Sequence, residues 1–168
     1  MHFFGVARFA AVLFFSFVGF AASPVHAQNN KPVRSGNFYE DRASGSNTAL
    51  SPDVSLTFAQ SPPDKLFNIT DVACDIRVLG GQVLASVTLL VGTASGTNDL
   101  GRPYPIRGNA IPEIRPQGTK YYSLVTNQIF YKVGPGRYPS ITIHTDNDGS
   151  SLPSVIANCV IVGNLTDD

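Results

Sequence analysis

The chain has 168 residues, a length typical of one domain, and its 12 basic and 12 acidic side chains give a formal net charge of zero. This balance gives no reason to expect nucleic acid or an anionic membrane surface as a partner. Tryptophan is absent, and of the three histidines only His144 lies beyond the first 27 residues. Chemistry that depends on histidine therefore has one candidate.

Residues 1–27 have the pattern of a secretory signal peptide. Arg8 supplies the positive start, an apolar run follows from Phe9 to Ala22, and Val25 and Ala27 are small residues at the two positions that a signal peptidase reads. A retained membrane anchor is the alternative, but the cleavage pattern and the polar sequence QNNK that follows favour removal. We therefore predict export to the periplasm or the extracellular space, with no stable membrane insertion after cleavage.

The remaining chain divides by composition into an arm and a domain. Residues 28–51 are polar and rich in Gly, Ser and Asn, which predicts a flexible N-terminal arm with at most a short ordered piece around Phe38-Tyr39. Residues 52–168 contain alternating apolar runs separated by turn sequences, which predict a β-sandwich domain.

The stretch from Leu66 to Val91 predicts a β-hairpin closed by Gly80-Gly81. A two-residue turn of this kind needs positive φ at both positions, which glycine adopts freely. This register places Leu79 opposite Gln82 and gathers only apolar side chains on one face. A change of alternation near Thr70-Asp71 also predicts a β-bulge.

Further strands are predicted before and after this stretch. Residues 120–133 change alternation near position 126 and predict two short strands or one bent strand. The other predicted strands are Val54–Phe58, a short strand around Tyr104–Arg107, Pro139–Thr145 and Ser154–Leu165. Six or seven strands without helical periodicity predict an all-β fold, an antiparallel β-sandwich of jelly-roll-like type. An immunoglobulin-like sandwich is the alternative, although the core tryptophan typical of that fold is missing.

Two cysteines, Cys74 and Cys159, lie on the apolar faces of their predicted strands. In an exported protein, two such cysteines predict one disulfide bond. The bridge would fit a fold in which the last strand returns beside an early one.

Four segments carry a resemblance to known proteins: SGNFYED, FNITDVACDIRV, YKVGPG and NCVIVGNL. Together they resemble small, uncharacterised secreted β-sandwich proteins of Gram-negative bacteria. The segments are structural, so the resemblance implies a fold and a compartment, and it implies no activity.

Aromatic and basic residues give the main candidate binding site. Tyr104, Tyr121 and Tyr122 lie in or near predicted loops and strand ends, and Arg102 and Arg107 lie in the long loop region beside them. Flat rings that carry a hydroxyl can stack on the apolar faces of sugars. These five residues are the predicted glycan-binding residues, and packing in the core or at a strand edge is the alternative role for the tyrosines.

The best metal candidate is the segment from His144 to Gly149, where Asp146 and Asp148 resemble the carboxylates of a calcium loop. The match is partial, because His144 replaces the first aspartate and Val155 replaces the bidentate glutamate. A polar turn is the alternative, and no other cofactor is expected.

These observations predict a non-enzymatic secreted protein that binds an extracellular or envelope glycan. One alternative is a surface or structural subunit that assembles through sheet edges and the N-terminal arm. A more remote alternative is a small hydrolase that uses His144, although no serine has the context of a nucleophile.

Overall fold

A computed structural model describes residues 31–47, 51–79, 81–107, 111–146 and 154–167. Within these ranges the chain forms eleven β-strands and one short 3-10 turn, Pro116–Gly118. The strands are β1 Val33–Ser35, β2 Phe38–Asn47, β3 Asp53–Thr57, β4 Leu66–Val78, β5 Val83–Gly92, β6 Tyr104–Pro105, β7 Glu113–Ile114, β8 Lys120–Thr126, β9 Tyr131–Val133, β10 Tyr138–Asp146 and β11 Val155–Thr166.

The strands form two antiparallel sheets that pack face to face. The larger sheet has the order β1-β2-β11-β4-β8-β7, and β9 also pairs with β4 beyond the end of β8. The smaller sheet has the order β3-β10-β5-β6. Without the short strands β1, β7 and β9, the remaining eight strands form two four-stranded sheets, β2-β11-β4-β8 and β3-β10-β5-β6, which is the strand order of a jelly roll. The predicted β-sandwich of jelly-roll type is confirmed.

The core lies between the sheets and is built by every second residue of the long strands. Because successive side chains of a strand point to opposite faces, one set is buried and the other faces outward. On β10, for example, Ile141 and Ile143 are fully buried. The largest buried side chains include Tyr39, Leu56, Phe58, Phe67, Ile69, Ile76, Leu89, Ile129, Ile141, Ile143 and Ile161.

The predicted hairpin between β4 and β5 is wrong. β4 belongs to the larger sheet and β5 to the smaller one, so the chain crosses between sheets near Gly81, while Gly80 lies outside the described residues. Lys120 Nζ donates a hydrogen bond to Gln82 O (2.7 Å) and Leu79 N donates one to Ser154 O (3.0 Å) beside this crossing. Alternation shows which face of a strand is buried. It does not show whether two such strands pair within one sheet or pack against each other across the core.

The predicted bulge in β4 is confirmed. Ile69 lies opposite Gly163 on β11, and Asp71 lies opposite Val162, so Thr70 is an extra residue on β4. The bulge restores the inward direction of the apolar side chains on both of its sides. Ile69 and Val72, which differ in parity, are therefore both buried.

The prediction of a flexible arm over residues 28–51 is wrong for residues 33–47, which form β1 and β2. β2 pairs along its whole length with β11. Tyr39 and Asp41 are both 1% exposed, whereas the polar neighbours that made this segment resemble an arm lie on the outer face. The Asp41 carboxylate accepts hydrogen bonds from the backbone N–H groups of Ala59 (2.7 Å) and Arg42 (2.8 Å), which explains how a charged residue is tolerated there.

The predicted disulfide bond between Cys74 and Cys159 is confirmed. The two cysteines lie at directly opposite positions of β4 and β11, with Cα atoms 4.2 Å apart. The last strand therefore returns beside an early one, as expected. The bridge lies within one sheet, whereas the immunoglobulin bridge joins two sheets, so the immunoglobulin-like alternative is wrong.

Among the residues that the structure describes, none forms a helix with the length and apolar character needed to cross a membrane. The predicted signal peptide, residues 1–27, lies outside the described ranges.

Candidate functional site

The outer face of the larger sheet carries a row of small polar side chains. Ser44 on β2, Asn158 on β11, Asp75 on β4 and Ser123 on β8 are successive cross-strand neighbours. Each is an outward residue of an alternating strand, so all four side chains lie on the same face of the sheet. Four adjacent strands thus contribute one hydroxyl, amide or carboxylate group each to a single line.

Bulkier side chains border this row on both sides. On one side Ile156, Arg77 and Tyr121 are successive cross-strand neighbours, and Glu113 on the edge strand β7 follows them. On the other side Arg42, Val160, Ala73 and Val125 form the equivalent row. Because the central side chains are shorter than most of the bordering ones, the surface is recessed along the central row.

This recess is a continuous groove, which we call the outer groove. It consists of two adjoining cavities of about 490 Å³ and 540 Å³, and both are lined by Asp75, Ser123 and Asn158. Each cavity is within the size range of small-molecule sites in proteins. The groove therefore offers hydrogen-bonding groups on its floor and apolar carbon on its borders, from Val125 and Ile156.

Tyr121 lies at one border of the outer groove, and two guanidinium groups lie over its ring. The Cζ atom of Arg115 is 4.6 Å from the ring centroid, and that of Arg77 is 5.8 Å from it. Arg115 also pairs with the exposed Glu113, at 3.1 Å. These cation–π contacts fix the orientation of the ring and place positive charge at this end of the groove.

Arg77 retains hydrogen-bonding capacity in the groove. Its Nε atom is buried and has no hydrogen-bond partner among the described residues. Asp75 lies two residues earlier on the same strand face, and within the described ranges no ion pair joins it to Arg77. A buried donor without a partner is costly, so a ligand or solvent acceptor beside Arg77 would stabilise this arrangement.

The structure does not bring the three predicted tyrosines together. Tyr121 and Tyr122 are consecutive and therefore point to opposite faces of β8. Tyr122 is 5% exposed, and its hydroxyl accepts a hydrogen bond from Leu84 N (3.3 Å). Tyr104 lies on the smaller sheet, half-buried, and its ring packs edge-on against Tyr131 at 6.0 Å. Only Tyr121 lies on the exposed face of the groove.

The two predicted arginines are also separate from the outer groove. The Arg102 guanidinium lies 5.7 Å from the ring centroid of Tyr131, at one end of the sandwich. Arg107 is exposed, and its backbone oxygen accepts a hydrogen bond from the Thr126 hydroxyl (3.0 Å).

The predicted calcium segment is described only in part. Asp146 ends β10 with its Oδ1 3.6 Å from Nε2 of His144, whereas Asp148 lies outside the described residues. Nowhere in the described ranges do three or more His, Cys, Asp or Glu side chains meet in a metal-binding arrangement. Calcium binding at Asp146 and Asp148 stays a prediction.

His144 has a carboxylate partner that sequence analysis did not identify. Its Nδ1 lies 2.7 Å from Oδ1 of Asp53, which is its cross-strand neighbour on β3. On the other side, Ser86 of β5 is the cross-strand neighbour of His144, so Asp, His and Ser occupy one row. Ser86 and His144 do not hydrogen-bond to each other in the described structure, and the row lies on the open outer face of the smaller sheet.

The residues of the central groove row were also missed by sequence analysis. Ser44, Asp75, Ser123 and Asn158 come from four strands that are far apart in the chain. Alternation within each strand identifies each residue as outward-facing, but only the strand order and register bring them into one line.

Comparison with known proteins gives little similarity. No family model and no curated protein matches the sequence. Among solved structures, the chain is similar to part of dimeric latent PorU from Porphyromonas gingivalis, with 12% sequence identity and a TM-score of 0.32. The match covers 88% of this chain and 15% of that one. This similarity is too low to support an argument about function.

Proposed function

We propose that this protein is an exported, non-enzymatic binding module and that its outer groove binds an extracellular or envelope glycan. The observation that supports this proposal is the line of Asp75, Ser123 and Asn158 along a groove bordered by the Tyr121 ring. A sugar presents hydroxyls, which both donate and accept hydrogen bonds, together with apolar C–H faces. The groove offers both kinds of contact in adjacent rows.

The charges in the groove favour a polar, extended ligand. The Asp75 carboxylate can accept hydrogen bonds from sugar hydroxyls, and the Arg77 guanidinium, which lines the groove, can donate them. Two adjoining cavities along one face can hold successive units of a chain molecule. Some lectin domains share the jelly-roll architecture, but a shared fold does not identify the ligand.

Binding to immobilised polysaccharides and glycan arrays tests this proposal. We expect Tyr121→Ala and Asn158→Ala to weaken binding by about tenfold each, since each removes a contact of the size typical for a buried binding residue. Tyr138→Ala is the matched control, because Tyr138 is a half-buried tyrosine that lines neither cavity of the groove. Equal binding by the wild type, Tyr121→Ala and Asn158→Ala would refute the role of the outer groove.

Assembly through sheet edges is the second candidate function, and one observation favours it. All three residues of the edge strand β1 are exposed, with Val33 55% exposed. An exposed edge can pair with a strand of another molecule. Deletion of residues 28–51 would remove β2 and disrupt the fold, so we propose Val33→Lys instead. Oligomers in light scattering that dissociate in Val33→Lys would support assembly, whereas a monomeric wild type would exclude it.

Export is part of the proposal. A buried disulfide and the absence of a membrane-spanning helix in the described residues are compatible with an exported protein. Mass spectrometry of the protein recovered outside the cytoplasm should give a mature N-terminus at Gln28. An intact N-terminus at Met1 would contradict signal-peptide cleavage.

A further inference from the structure

A third cavity, which we call the end pocket, lies at one end of the sandwich. It has a volume of about 260 Å³ and shares no lining residue with the outer groove. The end of β5, the start of β9 and the turn before β10 meet there. The side chains that matter for its chemistry are Leu100, Arg102, Tyr131, Lys132 and Arg137.

The end pocket is positively charged. Arg102, Lys132 and Arg137 line it, and no acidic residue does so. In the described part of the chain, none of these three side chains forms an ion pair, whereas other cations such as Arg42 and Lys65 do. Like charges that share a cavity repel one another, and an anion in the cavity relieves this repulsion.

The structure holds the walls of the end pocket in place without a ligand. The Tyr131 hydroxyl donates a hydrogen bond to the backbone oxygen of Arg102 (2.7 Å), and Leu100 N donates one to Val91 O (3.3 Å). The backbone of Arg137 is bound to Ser61 by two hydrogen bonds, of 2.9 Å and 2.8 Å. Walls that are already ordered lower the entropy cost of binding.

The Tyr131 hydroxyl does not carry a negative charge that could balance the three basic side chains of the end pocket. Burial raises the pKa of its hydroxyl, and the nearby Arg102 guanidinium offsets only part of this effect. The hydroxyl therefore stays neutral at physiological pH and keeps its hydrogen bond to Arg102 O.

We propose that the end pocket binds the oxyanion group of a small ligand, a carboxylate, sulfate or phosphate. Arginine forms paired hydrogen bonds to such groups, so Arg102 and Arg137 would hold the oxyanion and Lys132 would add charge. Leu100 and the Tyr131 ring would contact the apolar part of the molecule that carries the group. This proposal does not depend on glycan binding in the outer groove.

NMR titration of the isotopically labelled protein with inorganic phosphate, at constant ionic strength, tests this proposal. We expect saturable shifts at the amides of Arg102, Lys132 and Arg137. Arg102→Gln and Arg137→Gln should each weaken phosphate binding by about fivefold or more, since each removes a charge-assisted contact. Arg107→Gln is the matched control, because Arg107 is an exposed arginine that does not line the end pocket, and it should change the affinity less than about twofold.

Two results would overturn the proposal: shifts that do not saturate, or an equal loss of affinity in Arg107→Gln. A parallel titration with glucuronate separates the sources of the oxyanion. Tighter binding of glucuronate than of phosphate assigns a carboxylate-bearing sugar, and tighter binding of phosphate assigns a phosphorylated or sulfated ligand. The thermal unfolding midpoint of each variant confirms that the comparison is made between folded proteins.

Discussion

Gly163 on β11 lies directly against the backbone of Asn68 on β4, so closely that a β-carbon at Gly163 would lie 1.9 Å from the Asn68 carbonyl oxygen. This contact occurs where the extra residue Thr70 shifts the register of the two strands. The bulge brings the two backbones together, so a side chain at position 163 would force the backbone to move.

We therefore expect Gly163→Ala to lower the free energy of unfolding by about 2–3 kcal/mol, because backbone rather than a flexible side chain has to move. Chemical denaturation measures this change. Gly134→Ala is the control, since a β-carbon there would make an ordinary contact with Arg137 at 3.6 Å. If Gly163→Ala were as stable as the wild type and the control, this result would contradict the close approach of the two backbones at the bulge.

The disulfide bond closes a long loop, because Cys74 and Cys159 are 85 positions apart in the sequence. In the chain-entropy model such a bridge stabilises the folded state by about 4–5 kcal/mol, because it restricts the unfolded chain. The variant with both Cys74→Ala and Cys159→Ala should lose a stability of this order in urea unfolding.

Unfolding of the wild type under reducing conditions is the matched comparison for the disulfide. It should reproduce most of the loss, which separates the effect of the bond from the effect of the smaller side chains. A loss of stability below about 1 kcal/mol in both experiments would contradict this prediction. It would mean that the unfolded chain is already compact and gains little conformational freedom when the bond is removed.

Sequence analysis predicted the features that depend on alternation within one strand. The inward direction of Cys74 and Cys159 and the bulge near Thr70 are examples. The partner of each strand depends on which of several similar apolar faces meet, so the β4–β5 hairpin was predicted and is absent. β2 was not predicted because most of its residues are polar. Its buried positions, which include Tyr39 and Asp41, therefore do not form an apolar alternation in the sequence.

The candidate site was predictable only in part for the same reason. Tyr121 was identified from its residue type, but Tyr122 was grouped with it although the two point to opposite faces. The row of Ser44, Asn158, Asp75 and Ser123 exists only through the strand order. No single segment of the sequence contains it.

Asp41 gives a prediction about pH dependence. Burial raises the pKa of its carboxyl above the ordinary value of 3.8, and the hydrogen bonds from Ala59 N and Arg42 N oppose this effect only in part. The folded protein therefore holds this proton more tightly than the unfolded chain does. The stabilising effect is fully present below about pH 3.8 and is lost as the pH rises through the raised value.

We expect the stability of the wild type relative to Asp41→Asn to fall as the pH rises from about 3.8 through the pKa of the folded state. Urea unfolding of both proteins between about pH 3 and pH 7 measures this difference. Asp64→Asn, at an exposed position, is the control for general charge effects. A relative stability that rises with pH would show that the two backbone hydrogen bonds outweigh the cost of burial.

The adjacent residues Tyr121 and Tyr122 allow the roles of binding and packing to be separated within one strand. Tyr122→Ala should lower the free energy of unfolding by about 3–5 kcal/mol, because it removes a buried ring from the core. Tyr121→Ala should cost less than about 1 kcal/mol, since its ring lies on the outer face and contacts the side chains of Arg77 and Arg115.

Tyr121→Phe is the matched control that keeps the ring and removes only the hydroxyl. Loss of glycan binding in Tyr121→Ala with unchanged stability, and retention of most binding in Tyr121→Phe, would assign the ring face to the ligand. A large loss of stability in Tyr121→Ala would instead make this tyrosine a structural residue, and the binding role of the outer groove would then depend on Asp75, Ser123 and Asn158 alone.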